Sequence, residues 1–216
     1  MGTLAKAALD FIGYARPRPA RGRAIAPSMP LPAPSRQGGM PLMQALALRR
    51  SQRDFSSSPL PDQVLSDLLW CAFGVNRGEG HGRTAPSAHD AQEVDIYVAL
   101  PGGLYLYDPD GHDLSLVAKV DARNVTGYQD FVDEAPLDLV YVAGPLKVNG
   151  APAEKRLVFS AVSVGAIVQN VYLYCASAGL ATVVRGWLDA EAVSKALQLG
   201  HDERVICAQT VGYPVR

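Results

Sequence analysis

The stretch Glu154–Ala178 constrains this chain more than any other. It reads as one long helix, apolar on nearly every side, and dotted with small residues: Ala161, Ser163, Gly165, Ala166, Ala176, Ser177 and Ala178. Small side chains let neighbouring backbones approach closely, and a helix without a polar face has to be covered all round. Gly179 supplies the stop. A chain that must bury such a helix needs a broad apolar surface to lay it on, and the rest of the sequence provides one. Val94–Leu100 and Leu137–Ala143 are rich in strand-forming residues. The second is apolar at almost every position, which places it centrally in a sheet.

Residues 41–48 read as a short helix with Pro41 in its first turn. Pro61 opens another, whose Val64, Leu65, Leu68, Leu69, Ala72 and Phe73 recur at helical spacing before Gly74. Residues 104–107 return as a strand after the Pro101-Gly102-Gly103 turn. Residues 182–184 and 205–211 read as further strands, and 190–197 as a helix. Helices alternate with strands, yet hairpin turns also occur, so the class is α+β or three-layer α/β. No internal repeat is visible.

The first 40 residues differ. Prolines at 17, 19, 27, 30, 32 and 34 exclude regular helix or central strand there, although residues 4–14 read as a short amphipathic helix. This Pro/Arg-rich segment is read as an extended arm (1–40) preceding one domain (41–216). Its arginines fit either a solvated arm lying on a partner subunit or an anion or nucleic-acid contact. No aromatic residues interleave with them, which favours the former. Residues 4–13 are broken by Lys6 and Asp10 and lack the continuous apolar core of a secretory signal.

With 48% apolar residues, 19% charged residues and a net charge of −1, the chain has the composition of a globular protein without a global pull toward nucleic acid. The longest mostly apolar run, 157–168, is too short to span a bilayer, so no membrane association is expected. Cys71, Cys175 and Cys207 are odd in number, widely spaced and set in apolar surroundings. They read as packing residues in a reducing, cytoplasmic setting. The four histidines show no metal-ligand spacing, so no metal is expected. Gly-x-x-x-x-Gly-Lys-Ser/Thr, Gly-x-Ser-x-Gly and Gly-x-Gly-x-x-Gly are all absent.

Three segments could carry chemistry. Arg49-Arg50-Ser51-Gln52-Arg53 places three guanidinium groups and a hydroxyl at a helix–loop junction, which suits a phosphate or a solvated basic turn equally well. Arg83-Thr84-Ala85-Pro86-Ser87-Ala88-His89-Asp90-Ala91-Gln92 combines a rigid proline, small residues and polar groups before a strand. A flat ligand could lie on Pro86, Ser87 and Ala88 with Asp90 or Gln92 at its edge, or the segment is an ordinary loop. Val184-Arg185-Gly186 follows the end of the long helix, where a glycine permits close backbone approach to a ligand or simply ends a strand.

Taken in order, these pieces resemble the nitroreductase family of flavoproteins. The family's Arg-x-Ser-x-Arg/Lys-x-Phe appears as Arg49, Ser51, Arg53 and Phe55. Its Pro-Ser-Ser/Ala-x-Asn-x-Gln appears as Pro86, Ser87, Ala88, Asp90 and Gln92. The long helix with Gln169-Asn170-Val171-Tyr172-Leu173 and the closing Gly212-Tyr213-Pro214 complete the match, which covers residues 41–216. Residues 83–88 and 103–107 are most similar to the branch that includes azoline dehydrogenases of peptide-modifying pathways. Two departures stand out: Asp90 occupies a position where Asn is common, and Arg216 is the one basic candidate in a short C-terminal tail.

The resemblance implies a three-layer α/β/α sandwich with a mostly antiparallel central sheet and FMN at the interface of a homodimer. Arg49, Arg50, Ser51 and Arg53 would come from one subunit, with Arg49 toward the phosphate, Ser51 toward the ribityl–phosphate region and Arg53 near flavin N1/O2. Pro86, Ser87, Ala88, Asp90 and Gln92 would come from the other. The backbone around Val184, Arg185 and Gly186 would approach N5, and Arg216 would be a further phosphate ligand. The implied activity is NADH- or NADPH-driven, ping-pong reduction of a small-molecule acceptor, nitroaromatic or quinone-like, with no catalytic side chain required. An azoline dehydrogenase acting on peptide, or a flavin-binding protein without turnover, are the alternatives.

Overall fold

The computed structural model describes residues 28–78, 82–144 and 152–215. The short helix expected over residues 4–14, most of the arm, and Arg216 lie outside them. Seven strands form one sheet in the order β1 (Met29–Pro30), β6 (Asp113–Ala118), β5 (Gly103–Asp108), β4 (Val94–Leu100), β7 (Leu137–Ala143), β9 (Arg204–Gly212), β8 (Ala181–Arg185). Every pairing within it is antiparallel. β2 (Val75–Arg77) and β3 (Gly82–Arg83) make a separate small ladder. β7 is buried at all its positions and lies between β4 and β9, as its almost wholly apolar run implies.

The strand alternation sorts side chains between two helical layers. Ile96, Val98, Leu139 and Tyr141 face α2 (Asp62–Phe73) and α3 (Ala153–Ala178), meeting Leu65, Leu68, Leu69, Ile167 and Val171. Tyr97, Ala99, Val140 and Val142 face the other way, onto Val193 of α4 (Ala190–Ala196) and Leu197. The result is an α+β three-layer sandwich. α1 (Leu42–Leu48) lies along α3. Asp189 caps α4 by accepting N–H bonds from Glu191 and Ala192 at 3.0 Å each. Gly179, at φ 70°, ends α3 in the left-handed conformation that favours glycine.

Residues 28–40 run against the domain. Met29 and Pro30 pair with β6, Ser66 Oγ donates to the Pro32 carbonyl at 2.5 Å, and the Met40 N–H donates to Ser177 Oγ at 2.7 Å.

Two expectations change. α3 is not buried all round: Val164, Ile167, Val168, Val171, Tyr172 and Cys175 pack inward, whereas Leu157, Val158 and Val162 face outward, Val162 at 68% exposure. One sheet can cover only one side of a helix, so the other apolar side stays uncovered within the protomer. This helix is also long and apolar enough to cross a membrane by length and composition, a test that helices of a protein core pass as well. The three cysteines are unbonded, and burial pushes the Cys71 and Cys207 thiols up to about 11.

Candidate active site

The basic segment is held at both ends. The Arg49 N–H donates to the Ala45 carbonyl (2.8 Å) and the Gln52 N–H to the Thr182 carbonyl on β8 (3.0 Å), while Phe55 makes a β-bridge with Pro214. These bonds fix the backbone and leave the side chains of Arg50, Ser51 and Arg53 exposed. None of Arg49, Arg50 and Arg53 is in an ion pair among the described residues. Three like charges within five residues repel one another unless an anion sits among them.

Tyr172, on the inward side of α3, ties this segment to β8. Its hydroxyl shares a hydrogen bond with Ser51 Oγ at 2.8 Å and accepts the Val184 N–H at 3.0 Å. The Arg49 guanidinium lies 5.2 Å from its ring centroid. Arg49, Ser51 and Val184, far apart in sequence, therefore meet around one phenol. Tyr172 was not singled out among the site residues on sequence grounds. Its signal there is a phenol on the apolar face of a helix, where a buried hydroxyl needs partners.

β8 ends at Arg185, and Gly186 follows it. A Cβ placed there would meet nothing within 4 Å, and its φ is not in the left-handed region. Neither packing within the protomer nor backbone conformation calls for glycine here, and its backbone is open to solvent. Arg185, by contrast, turns its side chain into the protein. Nη2 donates to Asp138 Oδ1 (2.7 Å), Nη1 to the Thr126 carbonyl (2.7 Å), Nε to Thr210 Oγ1 (3.0 Å), and Thr210 Oγ1 in turn donates to Asp138 Oδ1 (2.5 Å). Any contact from Arg185 to a ligand above the strand is thus a backbone contact. Asp138 was also missed, although a lone carboxylate in an otherwise apolar strand is a visible anomaly.

Complete burial pushes the Asp138 carboxyl up to about 6, against the opposing pull of Arg185. The folded chain then holds this proton more tightly than the unfolded chain does. Its contribution to stability is full below the ordinary 3.8 and is lost as pH rises through about 6. Urea unfolding at a series of pH values is expected to show the parent losing ground to Asp138→Asn across that window. A difference that does not change with pH would contradict a carboxyl titrating there.

Residues 86–92 form a second centre. Asp90 (φ 51°) and Gln92 (φ 47°) occupy left-handed backbone conformations uncommon for residues other than glycine, a form of strain that clusters at functional sites. Ser87 holds the bend: its Oγ accepts the Gln92 N–H (3.0 Å) and its carbonyl accepts the Asp90 N–H (3.2 Å). The Gln92 side chain is buried, accepting from Arg83 Nε at 3.0 Å and donating to Asp90 Oδ1 at 3.2 Å. Arg83 also bridges to Asp110 at 2.9 Å. Pro86 is exposed, with Ser87 and Ala88 half-buried beside it.

The two centres occupy different sides of α3. Tyr172 reaches residues 49–53 and β8, whereas Asn170, two positions earlier and about 200° away around the helix, donates to the Thr84 carbonyl at 3.3 Å. One protomer therefore brings Arg49, Ser51 and Val184 together but does not join them to Pro86, Ser87 and Ala88. Among the described residues no group of three or more His, Cys, Asp or Glu could hold a metal ion.

Comparison with known proteins decides the assignment of this arrangement. The family model described as the nitroreductase family matches residues 46–213. The chain belongs to the nitroreductase family. It is 49% identical to a protein of Ralstonia eutropha JMP134 whose crystal structure is described as that of a candidate nitroreductase; the superposition has a TM-score of 0.84 and covers 94% of this chain and 95% of that one. It is 31% identical over 155 residues, 67% of this chain and 78% of the relative, to Methanocaldococcus jannaschii MJ1384, also described as a candidate nitroreductase. The fold alone is shared with a chain of the Escherichia coli microcin synthetase McbBCD complex carrying truncated pro-MccB17 (TM-score 0.66, 16% identity, covering 84% of this chain and 76% of that one). Family membership makes this protein an oxidoreductase, in general terms a flavin-dependent one. The nitroreductase-like sandwich read from the sequence is the observed one; the azoline-dehydrogenase branch is not singled out.

Proposed function

We propose that this nitroreductase-family protein binds FMN at the interface of a homodimer and reduces small organic acceptors, nitroaromatic or quinone-like, with NADH or NADPH as reductant. The observation that carries the proposal is the meeting of Arg49, Ser51 and Val184 around Tyr172, in a segment whose Arg49, Arg50 and Arg53 are outside any ion pair among the described residues and beside a strand followed by the open Gly186. The donor set fits FMN: Arg49 and Arg50 suit a phosphate, Ser51 a ribityl or phosphate oxygen, and the exposed Val184 side chain and bare Gly186 backbone a flat ring system. Arg53 supplies a positive charge for the ring's pyrimidine edge.

The shared site has its own support. Leu42, Met43, Leu46 and Leu48 of α1 and Leu157, Val158 and Val162 of α3 leave a large apolar surface exposed, Met43 at 76%. Exposed apolar helix faces of this kind mark interaction surfaces. Gly165, inside α3, lies on the same outward side, where an added Cβ would meet nothing within 4 Å. A mid-helix glycine costs roughly 0.5–1 kcal/mol relative to alanine, which close packing of a second backbone would offset. A second copy docked there could add its Pro86, Ser87, Ala88 and Asp90 to the Arg49–Val184 centre of the first.

When bound, flavin supplies the hydride chemistry, and the acceptor follows the oxidised nicotinamide through the same site in a ping-pong order. The protein's part is to fix the ring against β8, exclude water with the partner's loop, and place Arg53 where negative charge develops on reduction. A reducing cytoplasm suits the three unpaired cysteines.

Absorbance of the purified protein, before and after NADH or NADPH, tests the reading. A flavin spectrum bleached by either nucleotide is expected; material that stays colourless with added FMN would refute it. Bound FMN that neither nucleotide reduces would instead favour a flavin carrier. Arg53→Ala is expected to weaken FMN retention or slow its reduction by about tenfold or more, the scale of a lost charge-assisted hydrogen bond of roughly 1.5–3 kcal/mol. Unchanged colour and turnover would remove Arg53 from this role. The fold shared with the microcin synthetase chain keeps a peptide azoline ring as the second candidate, oxidised rather than reduced; turnover of an azoline peptide in place of nitroarenes would favour it.

A further inference from the structure

We propose that Tyr128 and Trp187 form the binding rim for the acceptor's ring, and that this rim selects planar aromatic molecules that are uncharged or cationic. The inference rests on the flavin site proposed above, because Trp187 directly follows Gly186. Both side chains are exposed, Trp187 at 71% and Tyr128 at 56%, yet their ring centroids are 5.6 Å apart at an interplanar angle of 53°. The two rings touch in a tilted pair, and their solvent-exposed faces are able to receive a third flat ring by stacking or edge-to-face contact.

Buried bonds beneath the pair fix its place. Arg185 donates to both the carbonyl and the hydroxyl of Thr126, at 2.7 and 3.0 Å, and so pins the turn that leads into Tyr128. Gly127 lies so close that a Cβ there would come within 1.8 Å of Arg185 Nη1. Arg185 also starts the Arg185-Gly186-Trp187 stretch. One buried guanidinium thus anchors both backbones that present the aromatic rings. Single exposed apolar residues are ordinary, whereas a fixed pair beside a redox site has a physical use.

Charge narrows the class of occupant. Exposed Asp130, Asp133 and Glu134 follow Tyr128, and exposed Asp189 and Glu191 follow Trp187. Of the nearby cations, Arg123 is bound to Asp121 at 2.6 Å, and Arg53, across a cavity of about 570 Å³ from Asp130 and Glu134, is assigned to the flavin. The two segments that carry the rings are thus rich in carboxylates, which disfavours carboxylated ligands, and the two ring faces themselves attract cations.

The test compares three nitroarenes with a para-CH2 substituent of different charge: para-nitrobenzyltrimethylammonium, para-nitrobenzyl alcohol and para-nitrophenylacetate. In each turnover the nitro group takes a hydride equivalent from the reductant and a proton from solvent. One oxygen leaves as water, giving the nitroso product while NAD(P)H becomes NAD(P)⁺. Parent kcat/KM should be several-fold to about tenfold higher for the cation than for the carboxylate, a tenfold ratio corresponding to about 1.4 kcal/mol. Trp187→Ala and Tyr128→Ala should raise KM for the cation and the alcohol with smaller changes in kcat and unchanged FMN content, and Trp187→Phe should restore most of the loss. Replacing Asp130, Asp133 and Glu134 together by their amides should narrow the cation–carboxylate gap.

Equal kcat/KM for the three charges, or KM values indifferent to both alanine variants in flavin-loaded protein, would overturn this inference alone. A Trp187→Ala protein that falls apart into monomers would also overturn it, by assigning the pair to the subunit contact. Protein that takes up no FMN would defeat the flavin reading and this inference with it.

Discussion

Val162→Glu is expected to give a folded monomer that has lost FMN. Val162 lies on the outward face of α3, between Val158 and Gly165. In the isolated protomer its side chain touches mainly solvent, so a carboxylate there should change protomer stability by no more than about 0.5 kcal/mol. In a dimer closed over this face the same carboxylate would be buried without a cation. The cost is several kcal/mol, and every 1.4 kcal/mol is a factor of about ten in association. Loss of the contact should carry FMN with it, since residues 49–53 and 86–90 lie on different sides of α3 and one protomer does not join them. Light scattering with the flavin absorbance of the same sample reads both effects. Val120→Glu, a valine exposed to a similar degree just after β6, serves as the control and should keep both dimer and colour. A Val162→Glu dimer that stays yellow would place the interface elsewhere; a monomer that stays yellow would end the shared-site picture.

That prediction depends on a distinction the sequence does not carry. Periodicity shows that Leu157, Val158 and Val162 are apolar, but an apolar residue facing its own sheet and one awaiting a partner look alike along the chain. The inward stripe of α2 and the almost wholly apolar run of β7 were legible because local pattern and tertiary burial agree there. β6 was not: Asp113, Ser115 and Ala118 interrupt its apolar residues, as suits a strand next to the short edge strand β1 and only half covered. The site divides in the same way. Residues 49–53, 86–92 and 184–186 stand out because each is contiguous. Tyr172 and Asp138, which tie distant segments together, reach partners 121 and 47 residues away, and no local pattern records such pairings.

Asp138→Ala is expected to be the most destabilising single change near the site, by about 3–5 kcal/mol near neutral pH, because it leaves Arg185 buried without its counter-ion. For a chain of this size that corresponds to a fall of roughly 10 °C in Tm. The ion pair need not itself be stabilising for this to hold. Burial drives the Asp138 carboxyl upward and the Arg185 guanidinium downward, so both partners resist ionisation where they sit, and the pair persists because each neutralises the other. It follows that removing both should cost less than removing one. Arg185→Met alone strands the carboxylate, whereas Asp138→Leu with Arg185→Met should recover much of the stability lost in either single variant, a coupling that a double-mutant cycle measures directly. The recovered protein should still be impaired, since the turn before Tyr128 would no longer be tied to the strand that ends at Arg185. Losses that simply add in the double variant would mean that the two groups do not act as a pair. A double variant restored in both melting temperature and acceptor KM would show that the pair fixes no geometry that turnover uses.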